Sequence, residues 1–169
     1  NNIPYELVFS QHKYHVTELT VQAVNEGYRR IIAIGGDGTI HEVVNGLFIQ
    51  QVVPTEDVTV AVIAVGTGND WIRMYGIPTK YSAAVRAIKE GYTFLQDVAE
   101  VEYEESLYRQ KSYMANVAGV GFDAAVIERT LQSNAKGYLG AWGYMWCLVR
   151  TFFKHKSTGI KLWVDDRLV

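Results

Sequence analysis

Cysteine is almost absent from this 169-residue chain, which contains one cysteine and three prolines. Because Cys147 has no second cysteine to pair with, a disulfide within the chain is excluded. Low cysteine usage is typical of proteins from reducing compartments. We therefore expect a cytoplasmic setting.

An excess of charge of one sign is also lacking. The 16 basic and 18 acidic residues give a net charge of -2, and the sequence contains no run of lysines or arginines. Without a basic field or a basic patch, nucleic acid is not an expected partner. Since 49% of the residues are hydrophobic, the chain is long and apolar enough to bury a core.

Long apolar runs are missing too. The uncharged stretch from Gly137 to Val149 has 13 residues, whereas a membrane-crossing helix needs about 20. Aromatic residues crowd the segment 137–155. We expect a core helix with aromatic packing there, and the alternative is a helix surface that meets lipid.

Glycine-rich loops are what the sequence does contain. The first lies in IIAIGGDGTIHEVVNGL, residues 31–47. The apolar run 31–34 is β-branched and predicts a strand buried on both faces. Behind the glycines, apolar residues recur at helical spacing and predict a helix packed on the sheet. These residues are Ile40, Val43, Val44, Leu47 and Phe48.

Gly35, Gly36 and Gly38 therefore lie between a strand and the start of a helix. A helix N-terminus has unpaired N–H groups and a partial positive charge, so phosphate oxygens bind well there. Glycine has no Cβ atom to block that approach. The alternative is that Gly35 and Gly38 only allow a sharp turn with positive φ.

A second loop repeats this design. In VTVAVIAVGTGNDWIRMYG, residues 58–76, an apolar strand leads into Gly66 to Asp70 and then into a short helix. The two loops are about 30 residues apart. Loops that follow parallel strands meet at the carboxyl edge of the sheet, where open α/β sheets bind ligands.

The remaining pattern predicts the fold class. YELVFS, residues 5–10, predicts a strand, the spacing over 16–24 predicts a helix ending at Gly27, and a further helix over 83–88 is closed by Gly91. This alternation predicts an α/β fold with a parallel sheet covered by helices.

From Tyr92 onward, FLQDVAEVEYEE and KSYMANVAGVGF predict antiparallel strands. GIKLWVDDRLV predicts a strand entering a turn at Asp165 and Asp166, an acidic pair typical of turns rather than of a metal site.

Three segments carry a resemblance to a known family. Neither glycine loop completes Gly-x-Gly-x-x-Gly, and the P-loop pattern is absent. GGDGTIHEVVNGL, GTGNDWIR and NVAGVGFDAAV, in this order, resemble the diacylglycerol kinase catalytic family, which includes bacterial lipid kinases and is related to sphingosine kinases. The resemblance runs from about residue 5 to the chain end. NAD kinases share the first motif, and the second loop favours a lipid kinase.

The resemblance implies a fold of two domains. Residues 1–93 would form an α/β nucleotide-binding domain whose first strand is missing. Residues 94–169 would form the N-terminal part of an antiparallel, β-rich substrate domain. The family's acidic general base would lie beyond Val169, so this fragment alone is expected to be inactive.

The resemblance also implies an activity, transfer of the γ-phosphate of ATP to the hydroxyl of diacylglycerol or a related lipid, as in phospholipid metabolism. ATP and Mg²⁺ would be the cofactors, and the lipid would be met at the membrane surface by a cytoplasmic, peripheral protein. A homodimer is compatible with the sequence. The alternatives are an NAD-kinase-like enzyme and a non-catalytic nucleotide- or lipid-binding module.

Most of the implied site residues belong to the two loops. Asp37 would support catalysis, and Asp37 and Asp70 would hold Mg²⁺ or its waters, since magnesium takes one or two protein carboxylates and keeps several waters. The alternative is that these carboxylates cap helices at Thr39 and Trp71. The implied nucleotide-binding residues are Ser10, Gly35, Gly36, Asp37, Gly38, Thr39, Glu42, Gly66, Thr67, Gly68 and Asn69.

Two further features lie outside these loops. Asp123, in GVGFDAAV, resembles a family aspartate that helps organise the metal site, and a capping role at a strand end is its alternative. His12 and His15 form a His-x-x-His pair, for which we favour a position at the surface or beside the phosphates over a zinc site.

Overall fold

A computed structural model of the chain describes residues 4–65, 69–105, 108–134, 141–154, 159 and 161–168. The chain divides into two compact units, Asn1–Asn116 and Val117–Val169. The division by contacts does not test the domain boundary predicted after residue 93, which stays a prediction.

The first unit combines a parallel strand pair, four helices and an antiparallel hairpin among its described residues. In chain order its elements are α1 (His15–Asn25), β1 (Arg30–Gly35), α2 (Asp37–Ile49), a 3-10 turn (Thr55–Asp57), β2 (Thr59–Ala64), α3 (Asp70–Met74), α4 (Tyr81–Glu90), β3 (Ala99–Glu105) and β4 (Tyr108–Met114).

Strand pairing confirms the predicted α/β class. β1 and β2 run parallel, with Arg30 opposite Thr59 and Gly35 opposite Ala64. β3 and β4 run antiparallel, as the change of pattern after Tyr92 predicts. The prediction is wrong for the second half of KSYMANVAGVGF, because β4 ends at Met114 and Phe122 begins a helix. Parallel neighbours need a crossover connection, and α2 supplies the helix between β1 and β2.

The core of this unit is built on the predicted apolar stripe of α2. Its buried members pack with residues of both parallel strands and with α3. Ile72 of α3 is fully buried. The buried core cluster is Ala33, Ile40, Val43, Val44, Val62, Ala64, Trp71 and Ile72.

Two glycine stops predicted from the sequence are also confirmed. Gly27 follows α1 with a φ of 99°, and Gly91 follows α4 with a φ of 73°. The amide of Gly91 donates to the carbonyl of Ala87. In this left-handed region glycine avoids the Cβ strain that other residues meet, which is why it ends helices so often.

Two expectations about the sheet are wrong for the described chain. β1 is buried on one face only, because Ile32 and Ile34 are 37% and 54% exposed. The segment 5–10 is not a strand; its residues are exposed and without regular structure. A strand is held by hydrogen bonds to a neighbour, and none of the described strands pairs with this segment.

The second unit contains two helices and a short hairpin in its described part. These are α5 (Phe122–Asn134), α6 (Ala141–Lys154), β5 (Trp163–Val164) and β6 (Arg167–Leu168). Asp165 and Asp166 join the strands with φ of 48° and 62°. Positive φ at both central residues is typical of a type I′ hairpin turn, so the predicted turn is confirmed.

The prediction that the aromatic residues of α6 pack in a core is wrong for its described aromatic side chains. Phe152 and Phe153 are 69% and 81% exposed, and Trp146 is exposed as well. Phe152 contacts Phe122 of α5 edge-on, with ring centroids 6.3 Å apart. Among the described elements α5 packs against α6, and the side chains of Trp146 and Phe153 remain at the surface. None of the described helices has the length and hydropathy needed to cross a bilayer.

Candidate functional site

Asp37 joins the two glycine-rich loops. It is the first residue of α2, directly after β1. Its Oδ2 accepts a hydrogen bond from the amide of Asp70, and its Oδ1 accepts one from the amide of Trp71, both at 3.1 Å. These amides belong to the first turn of α3, whose N–H groups lack partners within the helix. The carboxylate therefore has a capping role on the neighbouring helix, and the two loops lie side by side.

Gly35 and Gly36 allow close approach of other groups. A Cβ atom on Gly35 would lie 2.1 Å from Oγ1 of Thr39, and one on Gly36 would lie 3.3 Å from Oδ1 of Asn69 in the second loop. Positive φ is not the reason for these glycines. Among described glycines it occurs at 27, 76, 91 and 121, so the simple-turn alternative is wrong for Gly35 and Gly38.

The start of α2 offers backbone donors next to open space. The amides of Thr39 and Ile40 donate to the carbonyl of Gly36, at 3.0 and 3.2 Å. Within the described part of the chain, no acceptor takes the amides of Asp37 or Gly38. A Cβ atom on Gly38 would meet nothing within 4 Å. An anion has both room and hydrogen-bond donors here, at the positive end of a 13-residue helix.

The second loop is described from Asn69 onward. Asn69 is buried in the left-handed conformation, with φ 56° and ψ 42°. The carboxylate of Asp70 is exposed and lies 3.6 Å from the guanidinium of Arg73, an exposed pair of little energetic weight. Gly66, Thr67 and Gly68, which the sequence assigns to nucleotide binding, lie outside the described residues.

Glu42 ties α1 to α2. Its carboxylate accepts hydrogen bonds from the amides of Tyr14, at 3.2 Å, and Val16, at 3.0 Å, while Thr17 donates to its carbonyl oxygen. The side chain thus caps the start of α1. Ser10 is exposed, and no described residue forms a hydrogen bond with it. The nucleotide roles of Glu42, Ser10 and Thr39 stay predictions.

Asp123 belongs to the second unit. It lies in the first turn of α5 and is exposed. A Cβ atom on Gly119 would lie 2.9 Å from the Cβ of Asp123, so glycine permits the close turn before this helix. Its proposed part in a metal site stays a prediction.

Two amide side chains that sequence reasoning missed hold the β3–β4 hairpin to the site helices. Asn45 of α2 donates to the carbonyl of Tyr113 at 3.0 Å and accepts from the Tyr113 amide at 2.9 Å. Gln96 accepts from the indole N–H of Trp71 at 2.9 Å and donates to the carbonyl of Ala115. No local sequence pattern marks either residue, because each is an ordinary polar residue whose partners are distant in the sequence.

The hairpin also carries the best-defined charge pair of the first unit's described residues. Lys111 Nζ lies 2.8 Å from Glu100 and 3.1 Å from Glu102. The hydrogen bond from Lys111 lowers the pKa of Glu100, and the two carboxylates raise the pKa of Lys111 above its ordinary value. Partial burial, followed by the hydrogen bond to Glu100, raises the pKa of Tyr113.

Comparison with known proteins agrees with this geometry. The sequence profile described as "Diacylglycerol kinase catalytic domain" matches residues 1–101. A diacylglycerol kinase of Mycobacterium tuberculosis is 32% identical over 112 residues, covering 66% of this chain and 33% of that protein. One from Staphylococcus carnosus is 32% identical over 123 residues, covering 73% of this chain and 36% of that protein. One from Staphylococcus epidermidis is 29% identical over 147 residues, covering 87% and 42%.

The parallel pairing of β1 and β2, with α2 between them, is consistent with this match. The chain belongs to the diacylglycerol kinase catalytic domain family. This is a family of lipid kinases, and kinase chemistry implies the use of ATP. The chain spans less than half the length of the three relatives named above.

Proposed function

We propose that the protein containing this chain transfers the γ-phosphate of ATP to the hydroxyl of diacylglycerol or a related lipid, and that the start of α2 binds the phosphates. The observation that carries this proposal is the pair of hydrogen bonds that the carboxylate of Asp37 accepts from the start of α3. This carboxylate fixes the second loop to the first, while the neighbouring amides of α2 have no described partner.

Backbone groups are the proposed phosphate ligands. The amides of Asp37 and Gly38 would donate to phosphate oxygens, and the missing Cβ of Gly38 leaves room for them. Phosphoryl transfer depends mainly on positioning and on stabilising the charge of the transferred group. Rigid amides at a helix N-terminus can do both without reorganising during the reaction.

The donor set also fits Mg²⁺. A phosphate at the start of α2 would lie beside the negatively charged Asp37, so a cation between them is favoured. Each carboxylate oxygen of Asp37 accepts one amide hydrogen and has a second lone pair. The exposed carboxylate of Asp70 is part of the same loop pair. Mg²⁺, when bound, would neutralise charge on the transferring phosphoryl group.

The proposed lipid acceptor is inferred from the relatives, which are named diacylglycerol kinases. A lipid acceptor implies that the protein works at the membrane surface while residing in the cytoplasm. The described site residues supply backbone donors and capping carboxylates, so we propose that they bind and position the phosphates rather than remove the proton of the acceptor hydroxyl.

The test is phosphoryl transfer by the full-length protein with ATP, Mg²⁺ and diacylglycerol in mixed micelles. Asp37→Ala would also remove the cap on α3, so Asp37→Asn, which keeps one acceptor oxygen, is the sharper variant. We expect it to fold and to lower kcat about 100-fold or more, the scale seen when one charge-stabilising group is lost. The matched control is Asp57→Asn, because Asp57 is an exposed carboxylate in the turn before β2, at the opposite end of that strand from the loops.

The outcomes separate three functions. Labelled lipid that is lost in Asp37→Asn but kept in Asp57→Asn supports the proposal. Labelled NAD without labelled lipid would move the protein to the NAD-kinase branch. No transfer by the full-length protein to either acceptor, with ATP still bound, would identify a binding module and contradict the proposal.

A further inference from the structure

We propose that His12, His15 and Glu18 form a binding site for a transition metal ion of the Zn²⁺ type, at the start of α1. Each of these residues offers one ligand atom, and the three ligand atoms all lie within 4.8 Å of one another. This inference does not depend on the proposed kinase function.

The backbone explains why the three side chains meet. His15 is the first residue of α1 and Glu18 is three residues further on, a spacing that places both on one face of a helix. His12 lies in the turn before the helix, and its ring stacks on that of His15 with centroids 4.4 Å apart. The sequence shows the His-x-x-His pair, and the fold adds the carboxylate.

The contact of His12 with a backbone carbonyl indicates which of its ring nitrogens an ion would bind in the neutral imidazole. Nδ1 of His12 lies 3.0 Å from the carbonyl oxygen of Lys13, and a ring nitrogen facing a carbonyl carries the proton. The lone pair of His12 is therefore on Nε2. Metal-binding histidines typically show this arrangement, in which the second ring nitrogen donates to a carbonyl or a carboxylate.

The other histidine requires an exchange of partners. Nδ1 of His15 accepts a hydrogen bond from the amide of Gln11 at 2.9 Å. An ion bound at Nδ1 replaces that amide, and an ion bound at Nε2 moves the ring proton to Nδ1, which also releases the amide. In either case the Gln11 hydrogen bond breaks when metal binds.

The donor set selects the class of metal. Two imidazoles and one carboxylate suit Zn²⁺ and similar ions, whereas Mg²⁺ and Ca²⁺ prefer oxygen ligands only. Zinc ligands at about 2.0–2.2 Å from the ion lie about 3.3 Å apart in a tetrahedron. The rings of His12 and His15 are stacked within 12° of parallel, so their in-plane lone pairs do not yet converge on one point. His12 and Glu18 are exposed, so their side chains can rotate to direct their ligand atoms at one ion and reach that spacing. Three protein ligands leave one position for water.

Local charge also permits a cation at this helix start. The positive end of a helix normally disfavours cations. Here the carboxylate of Glu42 accepts the amides of Tyr14 and Val16, and Glu18 adds a second negative charge in the first turn. Two carboxylates thus offset the partial positive charge that the ion would meet.

The test is titration of the full-length protein with Zn²⁺ by calorimetry, with His15→Ala and Glu18→Gln as variants. The matched control is His41→Ala, because His41 is an exposed histidine on α2 outside the cluster. We expect His15→Ala and Glu18→Gln each to weaken one Zn²⁺ site at least tenfold, since even losing a residue that supports a ligand costs about 10- to 100-fold. The control should bind as the wild type does.

Melting curves without metal show whether each variant is folded. If His15→Ala fails to fold, Glu18→Gln alone decides the result, because it changes neither size nor shape of the side chain. Two results together support the proposal. The folded variants lose a Zn²⁺ site, and adding Zn²⁺ to the wild type removes the protection of the Gln11 amide from hydrogen exchange. Equal Zn²⁺ binding in the wild type, Glu18→Gln and His41→Ala overturns it.

Discussion

The two units of this chain bury their apolar residues very differently. In the first unit, α2 and α3 pack on the parallel strands, and Ile72 is 0% exposed. In the second unit, α6 keeps Trp146, Phe152 and Phe153 at its surface. Aromatic content therefore does not indicate a core. The arrangement of elements around a side chain decides whether it is buried.

The hydrogen bonds made by polar side chains also differ between the described parts of the two units. The first unit holds its loops and hairpin through Asp37, Asn45 and Gln96, whose partners lie 19 to 68 residues away in the sequence. In the second unit, the hydroxyl of Thr130 donates to the carbonyl of Val126, four residues back along α5. Long-range polar bonds are what fix the geometry of the candidate site.

The largest expected effect is the difference in stability loss between a buried residue of the first unit and an exposed residue of the second. Ile72→Ala should destabilise the protein by about 2–5 kcal/mol, because it leaves a cavity in a buried cluster. Phe152→Ala should change stability by about 0.5 kcal/mol or less, as surface substitutions usually do. Urea unfolding of both variants measures the difference. Equal losses would mean that Phe152 is covered in the intact protein and would break the comparison.

The next effect concerns the long-range amides. Asn45→Ala removes both hydrogen bonds to the backbone of Tyr113, together with those to the His41 carbonyl and from the Ser112 hydroxyl, so we expect a loss of about 1–3 kcal/mol. Asn25→Ala, at the exposed end of α1, is the matched control and should be near neutral. If both variants melt at the same temperature, Asn45 does not hold the hairpin.

The smallest effect is the pH dependence of the Glu100–Lys111 pair. The lowered pKa of Glu100 means that its contribution is present above its unfolded value, about 4.3, and is lost as the pH falls through the lower folded value. The raised pKa of Lys111 keeps the lysine charged throughout that range. Lys111→Met should therefore reduce slightly the stability gained between acid and neutral pH. An unchanged pH profile would show that solvent screens the pair completely.

The sequence predicted much of the first unit because its signals are local. The spacing of Ile40, Val43 and Leu47 defines one face of α2, and Gly27 and Gly91 mark helix ends. These features depend on residues a few positions apart. The parallel pairing of β1 and β2 follows from the helix between them.

The remaining features depend on partners that local patterns do not encode. Ile32 and Ile34 look like residues of a strand buried on both faces, yet burial of the second face requires an element that packs over it. Asn45 and Gln96 are ordinary polar residues until the fold brings Tyr113 and Ala115 to them. The sequence placed Asp37 between strand and helix and offered capping at Trp71 as an alternative, and the fold shows that Asp37 is the carboxylate that accepts the Trp71 amide.

One measurement tests the phosphate-binding claim most directly. It is the affinity of the full-length protein for ATP with Gly38→Ala, measured by calorimetry in the presence of Mg²⁺. A Cβ atom at this position meets no protein atom, and alanine in place of glycine in a helix is stabilising by about 0.5–1 kcal/mol. We predict that Gly38→Ala has an unchanged or raised melting temperature and binds ATP at least tenfold more weakly than the wild type. A folded variant that binds ATP as tightly as the wild type would contradict it.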